Sequence, residues 1–280
     1  MKFVLSRMHP LACLTYLTAV LIMIALSRHP WILGTQLICL LGIDLFYGRK
    51  VRTLFLAAGM ILAAAICNGW FVQRGMTVLF TAAGRQISLE ALLYGANAGI
   101  LLVNVCLLFS LLNRCFHKEH WVYLFGTVFP HLGVVFSMAL GLIPKYRRQA
   151  EDMMHARKNL CEESAIRRVL TVTSMELTWV FESSMDQLDS MNARGYGVGS
   201  RSHFHLFHFG RKDGIYLTAV LLLFGVNLYG YWKFYSDFYF YPVIQWSGLE
   251  TIDMLFIAAA GLQILFPAFF YLWENFDPMK

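Results

Sequence analysis

Charge is what this 280-residue sequence has least of. Only 14% of its residues are charged, against about 25% in soluble domains. With 58% hydrophobic residues and a mean hydropathy of +0.55, the deficit makes lipid the principal solvent. Catalytic signatures are missing as well. There is no G-x-x-x-x-G-K-[ST] phosphate loop, so the chain is not expected to hydrolyse ATP itself, and HExxH and GxSxG are absent. The six cysteines, Cys13, Cys39, Cys67, Cys106, Cys115 and Cys161, include no CxxC pair and no zinc spacing. Most lie inside apolar runs, as small reduced packing residues do. No basic cluster is interleaved with stacking aromatics as a single-strand binder requires. The net charge of +6 therefore reads as a topology signal, with no nucleic-acid partner.

What the chain does have is apolar runs long enough to cross a bilayer, which takes about 20 helical residues. They occur at 11–28, 30–47, 51–68, 87–112, 213–235 and 248–274. Lys2 and Arg7 precede the first run. That run exceeds the roughly 7–15 residues of a signal-peptide core and has no A-x-A site after it, so it reads as the first span. Ser27-Arg28-His29-Pro30 makes a tight hairpin, and Gly48-Arg49-Lys50-Val51-Arg52 an equally tight basic turn. Open sheets cannot cross a bilayer with unsatisfied backbone groups, and no series of ten-residue alternating strands appears. The expected fold is an all-α polytopic membrane protein with about six transmembrane helices plus cytoplasmic amphipathic helices. With the N-terminus inside, only Arg28, Arg74, Arg85 and Lys233 among the lysines and arginines fall outside or at the outer boundary. The positive-inside rule then puts both termini in the cytoplasm.

Residues 121–143 are apolar enough to suggest a further span, but basic flanks on both sides would put one flank on the wrong face. Pro130 and Gly133 weaken its centre, so it reads as a bent or interfacial segment on the cytoplasmic side. Three regions follow: membrane helices over 1–112, a cytoplasmic and interfacial region over 113–212, and membrane helices over 213–280. The extended polar stretch 145–212 carries mixed charge rather than a polybasic lipid anchor. It predicts one helix from about Lys145 to Asn159 and another from about Glu162 to Asn192. In the second, Ile166, Val169, Leu170, Leu177, Val180, Phe181, Leu188 and Met191 recur near the helical period. Gly195 sits where a left-handed residue commonly ends a helix.

Sites of chemistry are few. The glycine spacing of Gly195-Tyr196-Gly197-Val198-Gly199-Ser200 is loosely that of a dinucleotide turn, but it follows a helix rather than a strand. His203, His205 and His208 have metal-compatible spacing without an acidic or cysteine partner, and a juxtamembrane histidine-aromatic turn explains them better. The deepest polar residues in the spans are neutral: Asn97, Asn104, Asn227 and Gln263. Asn97 and Asn104 share a helix face, where bonds to neighbouring helices are worth about 0.6–2 kcal/mol. Asp44 lies near Arg49 and Lys50, and Glu90 and Asp253 lie near the outer ends of their spans. No buried acidic relay of a proton-driven carrier is visible. Two arginines remain, Arg157 in Ala156-Arg157-Lys158 and Arg194 in Ala193-Arg194-Gly195. Read plainly, they are solvated charges near helix C-termini, worth about 0.3–1 kcal/mol each. Their small neighbours, however, would let a five-donor guanidinium enter a partner's groove.

At these residues the sequence resembles the transmembrane T component of energy-coupling factor (ECF) transporters, a family that shares its pattern with cobalt-transport permease subunits. The resemblance runs from about Ile87 to Asp213. It takes in Ile87-Ser88-Leu89-Glu90, Ile143-Pro144, Ala156-Arg157, Ala193-Arg194-Gly195-Tyr196-Gly197 and Gly199-Ser200-Arg201-Ser202. It implies a non-enzymatic coupling subunit without cofactor or bound metal, in the cell membrane. Its partners would be two ABC-type ATPase subunits and a substrate-binding S component, for uptake of a vitamin or transition metal ion. Ala156, Arg157, Lys158, Ala193, Arg194 and Gly195 would be the ATPase-docking residues. Tyr196, Gly197 and Arg201 would support the second coupling helix. Lys158 departs from the pattern, which has a small residue there. The alternative from another class is an integral membrane enzyme with its active site on the 145–212 loop. It would use acids and histidines such as Glu162, Glu163, His203 and His205.

Overall fold

The computed structural model describes residues 9–46, 52–72, 75–82, 85–160, 164–198, 207, 209–235, 240 and 251–276. Among them the chain is overwhelmingly helical. Helices α1 (Pro10–Leu26) and α2 (Pro30–Phe46) form the expected tight hairpin. Each opens on a proline, whose missing N–H is no loss in the first turn and whose fixed φ suits it. Helix α3 (Arg52–Phe71) is followed by strands β1 (Val78–Ala82) and β2 (Arg85–Ser88), then α4 (Leu89–Cys115). Next come α5 (Lys118–Val128), α6 (Pro130–Leu160), α7 (Ala165–Ala193) and α8 (Arg211–Gly230). A π turn (Tyr231–Tyr235) extends α8, and α9 (Thr251–Phe276) is the final described helix.

Four stretches are long and apolar enough to cross a membrane: Arg52–Phe71, Leu89–Cys115, Arg211–Lys233 and Thr251–Phe270. Helices α1 and α2 are equally apolar but shorter, at 17 residues each. The chain is therefore a helical membrane protein.

Three expectations need correction. The chain is not purely helical, because β1 and β2 pair antiparallel just before α4. Ile87 and Ser88, assigned to the start of a span, end that hairpin, and α4 begins at Leu89. The helix expected from Lys145 is the second half of a 31-residue helix that begins at Pro130 and runs through Pro144. A proline inside a helix removes one hydrogen bond and crowds the carbonyl four residues back. The helix nonetheless continues to Leu160, and α6 packs on both α5 and α7. The bend foreseen in 121–143 falls at Phe129, between α5 and α6.

The chain forms two compact units, residues 1–117 with 207–280, and residues 118–206. In the first, α4 packs against α1, α2 and α3, α9 packs against α2 and α8, and α1 packs against α8. Helices α3 and α4 approach closely. A Cβ on Gly95 would fall 2.8 Å from the Ala64 carbonyl oxygen, and one on Gly99 would fall 2.9 Å from Ile61 Cα. Gly95 and Gly99 are one helical turn apart, a small-xxx-small face of the kind that lets membrane helices touch backbone to backbone. Asn68 Nδ2 donates to the Ala91 carbonyl at 2.6 Å across the same seam. In the second unit, α5 and α6 form a hairpin with Gly126 against Gly133, and α7 packs along α6.

Candidate functional site

Within the second unit, α6 and α7 run antiparallel. Near their middle, Lys145 Nζ donates to Ser183 Oγ at 3.0 Å and lies over the Trp179 ring, 5.0 Å from its centroid. Tyr146 meets Trp179 edge to face at 5.8 Å. Toward the connection between the two helices, Lys158 of α6 and Arg168 of α7 line one cleft. Arg157 is thus near the start of α7 and Arg194 at its end. From Arg168 to Arg194 the helix rise alone is about 39 Å at 1.5 Å per residue.

The two arginines have different surroundings. Arg157 is half-buried, whereas Ala156 and Lys158 on either side of it are exposed. Half-buried positions along α6 recur at Tyr146, Ala150, Met153 and Arg157, and Tyr146 marks that face as the one against α7. Arg194 is exposed and is the C-cap of α7. Gly195 follows at φ +78°, the left-handed region that favours glycine. Gly195 N–H donates to the Asn192 carbonyl at 3.0 Å, and Tyr196 N–H reaches back to the Met191 carbonyl at 3.0 Å. Those two bonds are the paired closures of a Schellman motif, which satisfies carbonyls the helix end would otherwise leave open. Gly197 is also left-handed, at φ +89°. Ala193, Arg194, Gly195, Tyr196 and Gly197 therefore form an exposed, sharply stopped tip. Arg201, Glu162, Glu163, Cys161 and His203, His205 and His208 lie outside the described residues, as do Arg49 and Lys50.

Helix α7 presents more than its tip. Its polar residues Glu182, Asp186 and Asp189 and its α6-facing residues Val172 and Trp179 leave a third face. There Ile166, Leu170, Leu177, Phe181 and Leu188 are all exposed, at spacings that keep them on one stripe.

In the membrane unit, the deep amides act as helix ties. Asn97 Nδ2 donates to the Arg28 carbonyl at 2.9 Å and Asn104 Nδ2 to the Leu33 carbonyl at 3.1 Å, both from α4 to the α1–α2 hairpin. Asn227 Nδ2 donates to Gln263 Oε1 at 2.8 Å, joining α8 to α9. Asp44 pairs with Arg114 at 3.4 Å. Glu90, buried at the start of α4, accepts the Thr77 N–H at 3.2 Å and so pins the segment leading into β1.

Two features were not read from the sequence. The first is the Gly95–Gly99 seam, whose signal, Gly-x-x-x-Gly within an apolar run, was in plain view. The second is the clamp at Asp213. Its Oδ1 accepts the His9 N–H at 3.2 Å and its Oδ2 accepts the Gly210 N–H at 3.0 Å. The His9 ring meets Phe209 edge to face at 5.2 Å. This clamp ties the start of α8, where the chain re-enters the apolar unit, to the start of α1.

No family model matches the chain, and no curated protein sequence matches it.

Proposed function

We propose that this protein is the transmembrane coupling subunit of an ECF-type importer. In this reading α1 and α2 also cross the bilayer, giving six crossings with both termini in the cytoplasm of a cell-membrane protein. Each is about 25 Å long at 1.5 Å per residue, a shortfall against a roughly 30 Å core that local thinning accommodates at modest cost. The region over 113–212 lies on the cytoplasmic side, in part at the interface, and carries Arg157 and Arg194. These dock into two ABC-type ATPase subunits, and a substrate-binding S component in the membrane supplies the vitamin or transition metal ion.

The observation that carries this reading is the tip of α7. An exposed arginine with alanine before it and a left-handed glycine after it projects from a 29-residue helix. Its counterpart Arg157 lies toward the opposite end of the same helix pair, so one rigid hairpin would engage two sites tens of ångströms apart. Closure of the ATPases on ATP would drive both ends at once, and stiff helices would pass that motion to the spans. No nucleotide chemistry is asked of this chain.

The test is Arg194→Glu. Truncating one partner of a buried charge pair costs about 2–5 kcal/mol, roughly 30- to several-thousand-fold in affinity. The variant is expected to insert into the membrane normally while losing both the ATPases and uptake. Normal co-purification of the ATPases, or labelling of Gly195 from outside the cell, would sink the proposal.

A further inference from the structure

The cleft between α6 and α7 beside Arg157 shares only Lys158 with the docking residues named above. It encloses about 370 Å³, near the small end of ligand pockets, which run to about 300–1,000 Å³. Ala150 and Met154 form its floor, while Arg147, His155 and Lys158 on α6 and Arg168 on α7 stand around it. The α6 members recur at three- and four-residue intervals and so share one face. Among the described lining residues one carboxylate is present: Glu151 Oε1 accepts from Arg147 Nε at 3.0 Å. Among the described residues, Lys158 and Arg168 thus join the Arg147–Glu151 ion pair in lining a cleft whose apolar members are Ala150 and Met154. From Val169 to Ala193 α7 has no lysine or arginine, and Glu182, Asp186 and Asp189 mark its far end with the opposite sign.

We propose that this cleft is a second docking element at the Arg157 end, which takes an acidic segment of an ATPase subunit that inserts one apolar side chain onto Ala150 and Met154. The inference rests on the coupling reading and adds to it the chemistry of one partner surface. An apolar side chain fits a cleft of this size and floor, and carboxylates flanking it meet Lys158 and Arg168. Lys158, the residue that departs from the family pattern, then has a role: it widens the first docking site from one arginine to a cation-rimmed cleft. The acidic far end of α7 repels the same segment. The hairpin is therefore directional and sets two unlike partner surfaces at its two ends.

The full chain in nanodiscs of zwitterionic lipid is titrated with the ATPase pair recovered with the wild-type chain, identified and purified separately. Lys158→Glu and Arg168→Glu are each expected to weaken binding about 5-fold, with the loss shrinking at high salt, as exposed pairs do. Met154→Trp, which fills the floor, is expected to cost about 10-fold. A photo-crosslinker at Met154 is expected to capture an ATPase peptide that carries an apolar residue flanked by Asp or Glu. Wild-type affinity for all three variants, with Arg194→Glu still abolishing binding, overturns this proposal and leaves the coupling reading standing. A crosslink to lipid, or binding of the cleft to anionic vesicles that Lys158→Glu removes, also overturns it. If no ATPase is recovered, or if Arg194→Glu binds normally, both fall.

Discussion

Gly195 offers a graded test of the proposed docking tip, because its substitution changes one thing only. Nothing lies within 4 Å of where its Cβ would be, so a side chain there meets no neighbour, and the cost is purely conformational. At φ +78° an L-residue pays about 1–2 kcal/mol, less for asparagine, which visits this region readily, and more for a β-branched residue. Against that stand the two Schellman closures to Asn192 and Met191, each 3.0 Å, worth about 0.5–1.5 kcal/mol apiece net of water. The sums nearly cancel for alanine, so the capped tip falls to roughly half of the population. Apparent affinity scales with the competent fraction, which gives about a 2-fold loss for Gly195→Ala and about 10-fold or more for Gly195→Val. Gly195→Asn should stay near wild type. All three remain well short of the loss from Arg194→Glu, since the guanidinium itself is intact. The assay is titration of the purified ATPase pair against each variant in nanodiscs, with membrane insertion checked separately. Wild-type affinity for Gly195→Val would show that the capped geometry of the tip is irrelevant to docking and would refute the argument.

Other outcomes follow from the membrane unit. Asn227→Leu leaves Gln263 buried without its partner and should destabilise the protein in detergent by about 0.6–2 kcal/mol. Adding Gln263→Leu should restore part of that loss, and a simply additive double variant would show that the pair is not coupled. Gly99→Leu forces a side chain into the Ile61 backbone, where a Cβ already comes within 2.9 Å of Cα. Overpacking of this kind costs about 1–3 kcal/mol or more, so thermal unfolding in detergent should shift well down, whereas Gly59→Leu, where an added Cβ would have no neighbour within 4 Å, should not. Burial holds His9 below the usual imidazole value, against the opposing pull of the Asp213 carboxylate. The unfolded chain therefore binds the extra proton first. Stability from this group is complete above about pH 6.5 and is lost as pH falls through the lower folded value. Unfolding of His9→Asn should lack that acid-side slope, and an identical slope in the variant would contradict the assignment.

Much of the helical layout can be read along the chain, because it is set by local rules. Pro10, Pro30 and Pro130 each begin a helix, the position where a missing N–H is harmless. The span of α7 and its stop at Gly195 follow from apolar periodicity and from glycine's access to the left-handed region. The pairing of deep amides with neighbouring helices was also legible, since an amide in hydrocarbon has few other outlets. What was not legible depended on partners distant in sequence. Pro130 and Pro144 are the same residue type, yet one opens a helix and the other lies within it, a difference that the residue type by itself does not fix. The β1–β2 hairpin was missed because strands of five and four residues carry too short a pattern to separate from an apolar run. Asp44 stands next to a basic turn in sequence, but its described ion pair is with Arg114 on α4.

The sequence by itself determined that lipid is the solvent, where the apolar helices lie, and which arginines stand near helix C-termini, because hydrophobicity, period and capping are properties of neighbouring residues. Only the tertiary structure decided that Arg157 is half-buried against α7 while Arg194 is exposed at a locked tip. It alone gathered Arg147, Lys158 and Arg168 around one cleft. The antiparallel packing of α6 on α7 sets both results, and that packing arises from contacts between residues far apart in the chain, such as Tyr146 with Trp179.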